Sequence, residues 1–201
     1  MRLAGPAGPI EALFEWPAQG APRALGVVCH PHPMFGGTLT NKVVHTVARA
    51  FVAQGAATLR FNFRGVGGSA GSYDDGRGET DDLLAVIGAG RARLPGLPLW
   101  LGGFSFGAFV ALRAQAAAGA ARLVTVAPPV GRWDFSAIEA PRCPWLVIQG
   151  DQDELVDPAQ VAGWVAALAP QARLTLLPGA EHFFHGRLHE VKAAVLAFVA
   201  S

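Results

Sequence analysis

The stretch Leu99-Trp100-Leu101-Gly102-Gly103-Phe104-Ser105-Phe106-Gly107 decides the fold. Its first half, Leu99–Gly103, is a short apolar run, as expected of a strand buried on both faces. Gly107–Ala118 follows with Ala, Leu and Val at helical spacing. Between them Gly103-Phe-Ser105-Phe-Gly107 places a glycine two residues to either side of a serine. Such glycines allow a sharp strand-to-helix turn that lifts the Ser105 hydroxyl clear of the sheet edge. The amide of Phe106 then falls at a helix N-terminus, where an N–H without an intrahelical partner can stabilise an oxyanion.

The same alternation continues in both directions. Ile10–Trp16 reads as an antiparallel edge strand. Ala24–Cys29, Ala56–Phe61, Arg122–Ala127, Trp145–Gln149 and Arg173–Leu177 read as buried strands, and Asn41–Gln54, Thr80–Arg93, Pro158–Leu168 and Gly186–Ala200 as helices. This pattern predicts a mostly parallel central sheet flanked by helices on both faces, an α/β fold. Only 17 residues, four of them proline, separate Ala127 from Trp145, too few for a helical lid.

Length and composition set the outer limits. A chain of 201 residues fits a single domain, here 1–201, able to bury about 70% of its unfolded surface. With 51% hydrophobic and 15% charged residues, disorder is excluded. The net charge of +1, spread along the chain, argues against nucleic acid and anionic membranes as partners. Leu94 to Leu112 runs for nineteen residues without a charge, the length of a bilayer span. Pro95, Pro98 and four glycines break it up, so it is expected to be strand, turn and helix. Cys29 and Cys143 sit in apolar stretches, suggesting a reducing compartment. The N-terminus lacks the unbroken apolar stretch of a signal peptide, so the expected location is cytoplasmic. The sequence does not specify an oligomeric state.

A serine hydroxyl is a weak nucleophile at neutral pH and needs a base, which in turn needs an orienting group. Later strand ends offer both. Gly150-Asp-Gln-Asp-Glu-Leu-Val-Asp157 holds four carboxylates. Asp157 reads as the N-cap before Pro158, and Asp151 follows the strand too closely to reach far over it. Asp153 is therefore the expected orienting acid, ahead of Asp151 and Asp134. After the last strand, Pro178-Gly-Ala-Glu-His182 places His182 as the base.

In the first loop, Cys29-His-Pro-His-Pro-Met-Phe-Gly-Gly-Thr38, the prolines at 31 and 33 have no N–H. The second oxyanion donor is expected to be Met34, with His32 next. His30 and His32 are otherwise read as packing residues, and a metal site with Cys29 ranks last. His182, His185 and His189 could also be read as a metal cluster, but no carboxylate or cysteine pattern completes one. No metal or other cofactor is expected. Lys42 departs from a chain in which 14 of 16 basic residues are Arg; a solvated helix start outweighs a contact at the site mouth. Gly65-Val-Gly67-Gly-Ser-Ala70 matches a dinucleotide-binding pattern, but the turn-rich residues that follow do not open a helix there.

Taken together, His30-Pro-His-Pro, Gly36-Gly-Thr38, Asn41-Lys42, Phe63-Arg-Gly-Val-Gly67, Gly103-Phe-Ser-Phe-Gly107, Gly150-Asp-Gln-Asp153 and Gly179-Ala-Glu-His-Phe-Phe184 resemble the small, lidless bacterial α/β-hydrolases related to dienelactone hydrolase. The resemblance spans about residues 24 to 200. It implies the α/β-hydrolase fold without a lid domain and a serine hydrolase whose Ser-Asp-His triad falls on Ser105, Asp153 and His182. Dienelactone hydrolases proper carry cysteine where this chain has Ser105, which sets dienelactone aside as a substrate. The expected partners are a small acyl substrate and water, with Phe35, Arg64 and Phe183 as substrate-binding residues and the Phe61–Gly78 loop as part of the pocket wall. A thioesterase or peptidase with the same triad, or a non-catalytic binding protein on this scaffold, are the rival readings.

Overall fold

The computed structural model describes residues 1–169 and 172–200. Its strands are β1 (Arg2–Gly5), β2 (Gly8–Glu15), β3 (Ala24–Cys29), β4 (Ala56–Phe61), β5 (Leu99–Phe104), β6 (Ala120–Val126), β7 (Trp145–Gly150) and β8 (Arg173–Leu177). The helices are α1 (Lys42–Ala53), α2 (Arg77–Arg93), α3 (Phe106–Ala118), α4 (Pro158–Leu168) and α5 (Leu188–Ala200). The strands form one sheet in the order β1-β2-β4-β3-β5-β6-β7-β8. It is parallel from β4 to β8, with β1 and β2 antiparallel at one end.

Alternation along each strand distributes its side chains between two cores. Leu25, Val27 and Cys29 of β3 pack with Leu83 of α2, Val110 of α3 and Val161 of α4. Ala24 and Val28 face the opposite way, with Val47 of α1 and Val195 of α5. Burial on both faces is why the parallel strands are continuous apolar runs.

Three expectations need correction. The Arg173–Leu177 strand, read as buried, is the far edge of the sheet, with Arg173 and Leu176 exposed and only Leu177 buried. The Ile10–Trp16 strand spans Gly8–Glu15 and is not the edge, because β1 pairs outside it in register Gly5↔Gly8. A four-residue strand among prolines and glycines carries too little alternation to be read locally. Helix α2 begins at Arg77 rather than Thr80. Its N-cap is Gly76, and the carboxylate of Glu79 reaches back to accept the amides of Gly76 (2.8 Å) and Asp74 (2.9 Å). By contrast Asn41 and Asp157 cap α1 and α4 with their own side chains.

No helix occurs between β6 and β7, and among the described residues none is long and apolar enough to cross a membrane. The segments after β3, β5, β6, β7 and β8 emerge at the carboxyl ends of the parallel strands, where open α/β sheets bind ligands.

Candidate active site

Ser105 joins β5 directly to α3 with φ 52° and ψ −121°. A non-glycine residue in this region carries strain of order 1–3 kcal/mol. The positive φ falls on the serine itself. The flanking glycines serve close approach: a Cβ on Gly103 would collide with the Gly107 carbonyl, and one on Gly107 would lie 2.5 Å from the carbonyl oxygens of Cys29 and His30. The turn is tied across to β6 by the Ser105 amide, which donates to the Val126 carbonyl at 2.8 Å.

The loops after β7 and β8 bring the other two groups to this point. His182 Nε2 lies 3.1 Å from Ser105 Oγ, and its Nδ1 lies 2.8 Å from Asp153 Oδ2. Asp153 and His182 are both buried. Four donors surround the Asp153 carboxylate: His182 Nδ1 and Gln149 Nε2 on Oδ2, and the amides of Leu155 and Val156 on Oδ1. Burial pushes its pKa up, but the His182 hydrogen bond and charge and the loop amides outweigh that, and the group sits below the usual carboxylate range. The other acids have separate tasks. Asp151 accepts the Gly179 amide at 2.6 Å, Asp157 caps α4, and Asp134 accepts the Ser136 amide at 2.9 Å.

The first loop makes a single 3₁₀ turn, Pro33–Phe35. His32 is surrounded by the rings of Phe35, Tyr73, Phe106 and Trp133, at 4.7, 4.8, 5.1 and 5.5 Å between centroids. Its Nδ1 accepts the Met34 amide at 3.1 Å. This corrects the preference for Met34 as oxyanion donor, since that N–H is already engaged. The amides of Phe35 and Gly37 both donate to the His32 carbonyl. His30 has a packing role: Nδ1 donates to the Pro31 carbonyl at 2.6 Å and Nε2 accepts the Phe63 amide at 3.0 Å. These two bonds require a neutral ring, and burial lowers its pKa to about 4.

A cleft of about 300 Å³ opens over Ser105 and His182. Phe35 and Phe183 line it, as expected. Arg64 does not. It turns away to Asp82 of α2, with Nε 3.0 Å from Oδ2 and Nη2 2.8 Å from Oδ1. The Phe61–Gly78 loop likewise stays behind the wall, where Tyr73 packs against His32 and Phe106 and Phe63 packs against Phe106. The wall is built instead by Pro129, Arg132 and Trp133 after β6 and by Leu155 and Val156 after β7. These residues and Gln149 were missed by sequence reasoning. The signals were a Pro128-Pro129 pair at a strand's carboxyl end and a glutamine closing an otherwise apolar strand.

The remaining candidates separate. His185 pairs with Glu181 and His189 lies 3.9 Å from Glu190, so the three late histidines have different partners. Gly65–Ala70 stays in a loop, and α2 opens only at Arg77. Lys42 is exposed at the first turn of α1.

A parallel sheet with a serine on a strained strand-to-helix turn, backed by an imidazole and a carboxylate from later strand ends, defines the class of α/β-fold hydrolases. The chain belongs to the family described as alpha/beta hydrolase domain, which matches residues 35–194. It is 46% identical to an α/β serine hydrolase without lid from Xanthomonas campestris, covering 100% of this chain and 92% of that one with a TM-score of 0.95. An α/β serine hydrolase homologue from Coxiella burnetii is 41% identical over 98% of this chain and 95% of its own, with a TM-score of 0.94. An uncharacterized protein of Rickettsia prowazekii is 35% identical over 95% of this chain and 84% of its own length. The chain is thus similar to lidless α/β serine hydrolases.

Proposed function

We propose that this protein is a serine hydrolase of carboxylic esters or related acyl compounds, with Ser105 as nucleophile, His182 as general base and Asp153 as the group that orients it. The observation that carries this reading is that both ring nitrogens of His182 are engaged, one on Ser105 Oγ and the other on the Asp153 carboxylate. An ionised carboxylate only accepts hydrogen bonds, so the ring proton sits on Nδ1 and the lone pair at Nε2 faces the serine hydroxyl.

Ser105 Oγ attacks the acyl carbonyl carbon as its proton passes to Nε2. The tetrahedral intermediate expels the alcohol, which takes that proton from Nε2, and an acyl-enzyme remains. Water then repeats the sequence: it gives a proton to Nε2 and attacks the acyl carbon, and the second tetrahedral intermediate expels Ser105 Oγ, which takes that proton back from Nε2 as the carboxylic acid is released. Phe106, at the first position of α3, supplies one oxyanion amide. His32 supplies the second. Pro31 and Pro33 have none, and the amides of Met34, Phe35 and Gly37 are taken, which leaves His32 and Gly36 between residues 31 and 37; His32 is preferred for its contact with the residue that gives the first amide. Its ring packs against that of Phe106 at 5.1 Å.

A fluorophosphonate probe tests the reading. Covalent labelling at Ser105, lost in Ser105→Ala together with about 10⁶-fold of the turnover of an activated ester, is the expected result. A folded Ser105→Ala variant that keeps wild-type turnover would refute it.

A further inference from the structure

The cleft over Ser105 is walled by apolar and aromatic side chains, and histidines aside, Arg132 is the one ionisable side chain among the described residues that line it. Arg60, Arg64, Arg77 and Arg187 are matched with Glu15, Asp82, Asp74 and Glu190, whereas Arg23, Arg91 and Arg122 donate to backbone carbonyls. Arg132 is of the second kind, with no acidic partner among the described residues, and it is the one that lies in the cleft. Asp134, two positions along, is turned to the Ser136 amide. The Asp153 carboxylate is saturated by its own four donors.

The guanidinium is nevertheless held in place. Its Nε donates to the Leu155 carbonyl at 2.8 Å, and the amide of the same Leu155 donates to Asp153. One residue therefore ties the cation to the loop that carries the acid. With Nε anchored, the terminal nitrogens have no protein acceptor among the described residues. A planar fork of N–H donors of this kind matches the two oxygens of a carboxylate. Phe35, Trp133, Leu155 and Phe183 offer apolar surface for the rest of the molecule.

We propose that the preferred substrates are esters that carry a carboxylate on an apolar body, with Arg132 as its counter-charge. This rests on Ser105 acting as the nucleophile. A charge at the cleft rim is screened by solvent, so the expected selectivity is modest, about tenfold in kcat/KM.

The test pairs anionic and neutral esters, with each kcat/KM divided by the ester's own rate of alkaline hydrolysis. For charge on the acyl part, the mono-4-nitrophenyl ester of adipic acid is compared with 4-nitrophenyl hexanoate. For charge on the alcohol part, 4-acetoxybenzoate is compared with its methyl ester, following phenol release. The wild type is expected to favour the anionic member about tenfold in at least one arm, less so as salt is raised. The ratio should collapse in Arg132→Gln, persist in part in Arg132→Lys, and invert in Arg132→Glu. A ratio at or below one in both arms, or one indifferent to these substitutions, while the neutral esters are still turned over, overturns the proposal and leaves the hydrolase reading intact. Absence of both turnover and fluorophosphonate labelling at Ser105 would instead remove the nucleophile on which it depends.

Discussion

A methyl group on Gly107 would lie 2.5 Å from the carbonyl oxygen of His30, so the first turn of α3 touches the end of β3 backbone to backbone. That contact sets the Phe106 amide beside the first loop. Alanine ordinarily stabilises a helix interior over glycine by roughly 0.5–1 kcal/mol. At this position the sign should reverse, with Gly107→Ala losing about 1–3 kcal/mol through forced displacement of backbone. Gly163 in α4 is the control, because an added Cβ there meets nothing within 4 Å. Urea unfolding should show Gly163→Ala stabilised and Gly107→Ala destabilised; equal effects would dismiss the close-approach explanation.

Ser105 stores backbone strain at φ 52°. Ser105→Ala keeps that strain and Ser105→Gly releases it, and both remove the hydroxyl proposed as nucleophile. The glycine variant should therefore be the more stable of the two by about 1 kcal/mol, despite the flexibility it adds to the unfolded chain. Thermal unfolding of the pair measures this, and an alanine variant as stable as the glycine one would contradict it.

Gln149 shares Asp153 Oδ2 with His182, so under the proposed mechanism it acts on the reaction through Asp153. Gln149→Leu should lower kcat by about tenfold with KM little changed, because a hydrogen bond to the charged carboxylate is lost. Gln149→Glu should lower it further by setting two carboxylates face to face. A steady-state split in which KM rises and kcat holds would place Gln149 outside the reaction.

His30 makes stability depend on pH. Its folded pKa of about 4 lies below the ordinary 6.5, so between these values the unfolded chain binds a proton that the folded chain refuses. Stability from this group is fully present above pH 6.5 and falls as pH drops toward 4, by about 3 kcal/mol in all. Denaturant unfolding across that window should show the slope, and His30→Gln should flatten it. An unchanged slope in that variant would assign the dependence to other groups.

Arg64 belongs to the framework, through its bidentate pair with the buried Asp82. Arg64→Leu leaves that carboxylate unpaired and should destabilise by about 3–5 kcal/mol. Adding Asp82→Leu should recover part of the loss, which a double-mutant cycle would measure. A variant of unchanged stability but raised KM would return Arg64 to the substrate.

Much of this molecule is written locally. The ranges of β3 and β4 follow from apolar runs bounded by turn residues, because the continuous apolar run of a doubly covered strand and the chemistry of a turn are complete within about ten residues. Ser105, Asp153 and His182 were legible for the same reason: each follows a strand whose carboxyl end must emerge on one side of a parallel sheet. The folded chain alone decided which neighbours those loops would have. Asp82 claims Arg64, Arg132 takes the place in the cleft, and the His32 ring consumes the Met34 amide. An arginine or an amide has the same local chemistry wherever it stands, and its partner is chosen by how separate loops converge in space.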